Sequence, residues 1–207
     1  MENLNDVIGS ARSLLDSKYQ ARETALAHGR ALTRTCANAI RALHRGEFAD
    51  ARQTLDAARR EAGQVASALA PHPDLLFAGY VQDAHKELAE AETLYALMTG
   101  EPLPTPGELK IETAAYLNGL AEAASEGRRV ALDRLRRGET DGAQAMLGAM
   151  DDILSALTTL DYPDAVTSGL RRTCDVLRGV VERTRGDVTI AVLQERLMGT
   201  MNGSLGG

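Results

Sequence analysis

The sequence predicts an all-α protein, and three observations predict it. Apolar residues recur at intervals of three and four through most of the chain, the spacing that lines one face of a helix. No stretch shows the alternation of apolar and polar residues between turns that marks a strand. Of 207 residues 44% are hydrophobic but only 3% aromatic, with no Trp. The core must therefore be built from Ala, Leu, Val, Ile and Met, a composition that suits closely packed helices.

The elements follow in order. Leu4, Val7, Ile8, Ala11, Leu14, Leu15, Ala25, Leu32, Cys36, Ala39, Ile40 and Leu43 form one stripe, so the first helix runs from Leu4 to Leu43 and Gly46 closes it. A second helix spans Phe48 to Leu69 and stops before Pro71 and Pro73. A third runs from Pro73 to Thr99, ended by Gly100 and a proline-rich link. Thr105, Pro106 and Glu108 supply a cap, a first-turn proline and a capping-box carboxylate, so the fourth helix starts there and continues to a stop at Gly138. A fifth covers Asp141 to Leu160, a sixth Pro163 to Arg185, and a seventh the short stretch from Asp187 to Leu197. Residues 1–198 read as a single helical domain, and 199–207, rich in Gly and Ser, as a flexible tail.

A net charge of −6 and a pI near 5.3 exclude a broadly basic nucleic-acid binder, so any phosphate contact must come from a local patch. Cys36 and Cys174 lack CxxC spacing and read as reduced, buried thiols. No basic leader and no long apolar run appears, so a soluble, cytoplasmic protein without a membrane segment is expected.

The chemistry lies in the carboxylates. Glu122 and Glu126 stand four residues apart on one face of the fourth helix. On the third, Asp83, Glu87 and Glu90 fall within about 60° of one another, while Glu92 points elsewhere. Consecutive helices joined by a short link pack antiparallel. If the acidic faces meet, Glu87, Glu90, Glu122 and Glu126 converge, and such a group is tolerable only around water and a hard cation such as Mg²⁺ or Mn²⁺. If they do not meet, both are ordinary solvated faces. No Glu-x-x-His, P-loop or H-E-x-x-H pattern competes.

Ala115-Tyr-Leu-Asn-Gly-Leu-Ala-Glu-Ala-Ala-Ser-Glu-Gly-Arg-Arg129 resembles the D-Y-L-x-G-x-x-x-x-x-x-E-x-x-R signature helix of the translin family. Tyr116, Leu117, Gly119, Glu126 and Arg129 match, and Ala115 departs from the acidic first position. Lys86-Glu-Leu-Ala-Glu-Ala91 resembles the Q-E-Y-V-E-A stretch of translin-associated factor X, the family's catalytic type; Arg30-Ala-Leu-Thr33 and Leu43-His-Arg45 are similar to its first helix.

The resemblance implies a seven-helix translin-like antiparallel bundle that assembles as a homo-oligomer, in the family often an octamer. It also implies an Mg²⁺- or Mn²⁺-dependent endoribonuclease acting on single-stranded RNA or short DNA through Glu87, Glu90, Glu122 and Glu126. Two other readings stand beside it: a non-enzymatic single-stranded RNA- or DNA-binding oligomer, and a helical scaffold for a protein partner. Ala78-Gly79-Tyr80 stands where the family's basic segment is expected. Arg129 either holds a phosphate beside the metal or pairs with Glu126 within its own helix. Arg34, Arg41 and Arg45 share one side of the first helix and either contact phosphates or form a solvated face. His44 reads as a cation at that helix's C-terminus.

Overall fold

The computed structural model describes residues 3–205, and among them it contains eight α-helices and no strand. Leu4–His44 (α1) and Phe48–Leu69 (α2) form a long hairpin, turned at Gly46 with φ of 77°, a region where a side chain is strained. Only the second half of α1 is buried; Leu4, Val7, Ile8, Leu14 and Leu15 are all exposed, so the first half projects from the bundle.

The expected first turn of the third helix is instead a 3-10 turn, Pro73–Phe77. Ala78 is extended, and the helix proper begins at Gly79 and runs to Thr99 (α3). Its apolar face fills the centre of the molecule. Glu92, 2% exposed, faces the other way and receives both guanidinium groups of α2: Arg52 donates at 3.0 Å and Arg59 at 2.5 Å. Burial alone would raise the Glu92 carboxyl, but these bonds outweigh it and hold it below the usual range. The pair of arginines thereby pins α2 to α3.

The predicted fourth helix is broken. The capping box forms as expected, with the Thr105 Oγ1 accepting from the Glu108 backbone and Glu108 accepting from the Thr105 backbone. The helix it starts, Pro106–Leu109 (α4), ends after one turn at Lys110, where φ is 56°. Leu109 and Ile111 are both buried, and no single straight helix could turn both into the core there. The chain restarts as Thr113–Arg136 (α5).

Thr140–Thr158 (α6) follows, then the single turn Asp164–Thr167 (α7) and Leu170–Leu205 (α8). Ser168 and Gly169, with φ of 52° and 81°, make a break the sequence reading missed. Gly186, read as a stop, lies inside α8. A glycine there costs about 1 kcal/mol, less than the apolar stripe of Leu177, Val181 and Val188 gains by continuing across it. The short seventh helix is thus the end of α8, and the helix passes residue 199; residues 206–207 of the expected tail lie outside the described residues.

The bundle is organised on α5, which packs against α3, α6 and α8, while α1 packs against α2 and α3. Among the described residues no helix is long and apolar enough to cross a membrane.

Candidate metal centre

Two helices build this site, and a glycine sets their separation. A Cβ on Gly119 of α5 would stand 2.5 Å from the Lys86 carbonyl oxygen and 2.6 Å from the Ala89 Cβ of α3. Only hydrogen fits, so the two backbones touch at this point. Lys86 reaches Glu122, one turn further along α5, so the helices run antiparallel. Close approach at Gly119 places Glu87 and Glu90 opposite Glu122. One carboxylate oxygen from each of these three residues lies within 4.8 Å of the others, and all three side chains are half-buried. This trio could hold a metal ion.

Glu126 stands apart from the trio. Its Oε1 lies 2.6 Å from Nε2 of His44, whose side chain is only 3% exposed, and 3.9 Å from the Arg129 guanidinium. It still lines the same cleft, a hollow of about 390 Å³ walled by Glu90, Glu122, Ser125, Glu126, Arg172 and Thr173. The structure therefore brings three of the four expected carboxylates within reach of one ion and holds the fourth at the wall.

The charges are poorly compensated. Burial, then the negative charges of Glu122, Glu87 and Glu126, push the Glu90 carboxyl up to about 8, with Lys86 opposing them. Burial also raises Glu87; Lys86 opposes it, while Glu122 and Asp83 reinforce it. Among the described residues neither Glu87 nor Glu90 has a hydrogen-bond or ion-pair partner. Only Glu122 has one, the Lys86 ammonium at 2.7 Å. Burial alone would lower that ammonium, but its bond to Glu122 and the surrounding carboxylates leave it raised. Beneath the trio, burial and the charges of Glu87, Glu92 and Glu90 raise the Cys36 thiol, which keeps it protonated and unfit as a ligand.

The expected phosphate-binding arginines are dispersed. Arg129 is exposed and makes the intrahelical contact with Glu126 already described. Arg41 donates to Asn38 at 2.5 Å, and Arg45 is paired with Glu47 at 2.5 Å in the α1–α2 turn. Arg34 faces a second cleft, between α1 and α3, and is unpaired among the described residues.

Three residues at the centre escaped sequence reasoning. Lys86 stands four residues before Glu90, within about 40° of it around α3, and that spacing gave a usable hint that it faces α5. His44 and Arg172 come from α1 and α8, far away in sequence, and nothing local signalled them.

No protein-family model matches the chain. An uncharacterised protein of Methanocaldococcus jannaschii is 30% identical over 198 residues, covering 95% of this chain and 86% of that protein. The Archaeoglobus protein in a solved structure titled an AfC3PO–duplex RNA complex is 32% identical and superposes with a TM-score of 0.84 over 90% of this chain and 97% of that one. C3PO is the complex of translin with translin-associated factor X. The chain belongs to the translin family. The Neurospora chain of a solved structure titled apo-NeC3PO, only 16% identical, shares the fold: it superposes with a TM-score of 0.79 over 91% of this translin-family chain and 98% of its own.

Proposed function

We propose that this chain is a translin-type RNA-binding protein and a metal-dependent endoribonuclease, with Mg²⁺ or Mn²⁺ held by Glu87, Glu90 and Glu122. The observation that carries the reading is the meeting of those three carboxylates within 4.8 Å, two of them lacking any bonded partner among the described residues. Oxygen donors without thiolate or free imidazole suit a hard divalent ion. The likeness to the protein of an AfC3PO–duplex RNA complex supports RNA as the partner.

Such an ion would supply Lewis acidity at a phosphate and lower the pKa of a water. The chain's own residues do the rest. Glu126, held by the His44 imidazole, faces the cleft as a carboxylate able to take the proton of an attacking water. Arg172 and Arg129 flank it and offer bidentate donors to the phosphate. Exposed apolar residues on the free half of α1, and Ile190, Leu193, Leu197 and Met201 on α8, support assembly with further copies, as in the octamers of the family. A cytoplasmic location fits reduced Cys36 and Cys174.

A second reading, a non-enzymatic RNA- or DNA-binding oligomer, is favoured by Lys86: its ammonium already occupies Glu122. Cleavage of labelled single-stranded and duplex RNA in Mn²⁺ separates the two. The enzyme reading expects the Glu122→Gln chain to lose cleavage by at least about a hundredfold while assembling and binding RNA normally. Equal rates for the two proteins would end it.

A further inference from the structure

A second cleft, of about 430 Å³, lies between α1 and α3. It is walled by Arg30, Thr33 and Arg34 on α1 and by Tyr80, Asp83 and Ala84 on α3. Gly29, against the Ala84 Cβ, keeps the helices close at its base. We propose that this cleft is a ribose-phosphate subsite in which Arg30 and Arg34 hold the backbone phosphate and Asp83 accepts a hydrogen bond from the ribose 2′-hydroxyl, so that it selects RNA over DNA. The proposal rests on the reading of the chain as an RNA-binding protein and adds the feature by which it tells the two nucleic acids apart.

The charges argue for a ligand. Arg30 and Arg34 are four residues apart on one face of α1, where like charges repel. Neither has a hydrogen bond or ion pair among the described residues, although the chain as a whole carries an acidic excess of −6 and most of its exposed arginines are paired. Two guanidinium groups left open toward one hollow form a fork suited to phosphate oxygens. The Tyr80 ring at the cleft wall lies under the Arg22 guanidinium, 5.8 Å from its centroid, which adds a third cation beside the same hollow.

Asp83 fixes the kind of ligand. It shares the cleft with both arginines yet pairs with neither, and it is exposed. A carboxylate repels a bare phosphate and can only accept hydrogen bonds, so inorganic phosphate fits badly. A ribose offers the O–H that Asp83 requires, next to the phosphate the arginines require; deoxyribose does not.

The position agrees. Asp83 precedes Glu87 by one turn of α3, about 6 Å along the helix axis, on the face that carries the trio. That step is on the scale of one nucleotide. A strand presenting one phosphate to Glu87, Glu90 and Glu122 would lay its neighbour beside Arg30, Arg34 and Asp83.

Fluorescence anisotropy in EDTA, with a labelled single-stranded RNA and DNA of the same sequence over a range of salt, tests this apart from catalysis. The Arg30→Ala/Arg34→Ala chain should bind both strands about tenfold or more weakly, with a log–log salt slope shallower by about 0.7, one phosphate contact's worth. The Asp83→Ala chain should lose about fivefold in RNA affinity, one hydrogen bond's worth, and nothing in DNA affinity. All three side chains are at the surface, so thermal midpoints should match wild type. An equal effect of Asp83→Ala on RNA and DNA, an unchanged salt slope in the double variant, or a wild-type chain that binds neither strand would each overturn the proposal. Mn²⁺-dependent cleavage by the same variants reports separately on the carboxylate centre: failure of wild type to cleave, with RNA preference intact, removes the nuclease reading and leaves the subsite standing.

Discussion

Replacing Glu90 by Gln should make the metal-free protein more stable, and increasingly so as pH rises. The carboxyl sits at about 8 in the folded chain against 4.5 as its ordinary value. Between those limits the folded chain keeps a proton that the unfolded chain has released, so stability falls as pH climbs through the window; below the lower limit the two states are protonated alike. From pH 6 to pH 8 the fall is bounded at roughly 3 kcal/mol, at 1.4 kcal/mol per unit. Water reaching the half-buried group reduces this to about 1–2 kcal/mol. Glutamine keeps the shape and never ionises, so its curve should be flatter by that amount. Urea unfolding in EDTA at pH 6 and pH 9 measures it. Added Mn²⁺ should stabilise wild type in proportion to the logarithm of its concentration and leave Glu90→Gln nearly unmoved. If the variant shows the same pH slope as wild type, or is less stable at pH 9, the crowding of negative charge around Glu90 has been misjudged.

Two further changes probe the frame of the site. Gly119→Ala puts a methyl 2.5 Å from a backbone carbonyl that cannot rotate away, so the cost of overpacking, about 2–3 kcal/mol, should exceed the roughly 1 kcal/mol returned by helix propensity. A lowered urea midpoint together with weaker Mn²⁺ binding by calorimetry is expected, and a wild-type midpoint would show that α3 and α5 do not touch there. His44→Ala frees Glu126, and should lower kcat about tenfold while shifting Mn²⁺ affinity less than threefold, with His44→Gln recovering part of the loss through its amide donor; a parallel collapse of metal affinity would place Glu126 among the ligands instead.

Helix periodicity carried most of the fold because it is a local property. α2 has the bounds expected of it, and α1 differs from its expected end by one residue. What periodicity could not see were decisions made by distant packing. The break at Lys110 lets Leu109 and Ile111 both reach the core, and Gly186 is absorbed because the buried stripe on either side of it is continuous. At the centre, spacing put Glu87 and Glu90 on one face and Glu122 and Glu126 on another, but it could not say which of the four would hold an ion and which would take a proton. His44, which turns Glu126 aside, lies 82 residues away in sequence, beyond the reach of any local pattern.

The metal-free arrangement explains how three crowded carboxylates survive folding. Glu87, Glu90 and Glu122 carry three negative charges when fully ionised. In the folded chain Lys86 supplies one positive charge at Glu122, and the raised Glu90 carboxyl retains a proton at neutral pH, a second. Those two placeholders together match the charge of one divalent ion. The backbone contact at Gly119 holds the trio in register, so an ion taken up as proposed would need to displace only an ammonium and a proton. Uptake would then require no rearrangement of α3 against α5. A site assembled this way would be formed before any ligand arrives, with the close contact at Gly119 and not the ion setting the spacing of the carboxylates.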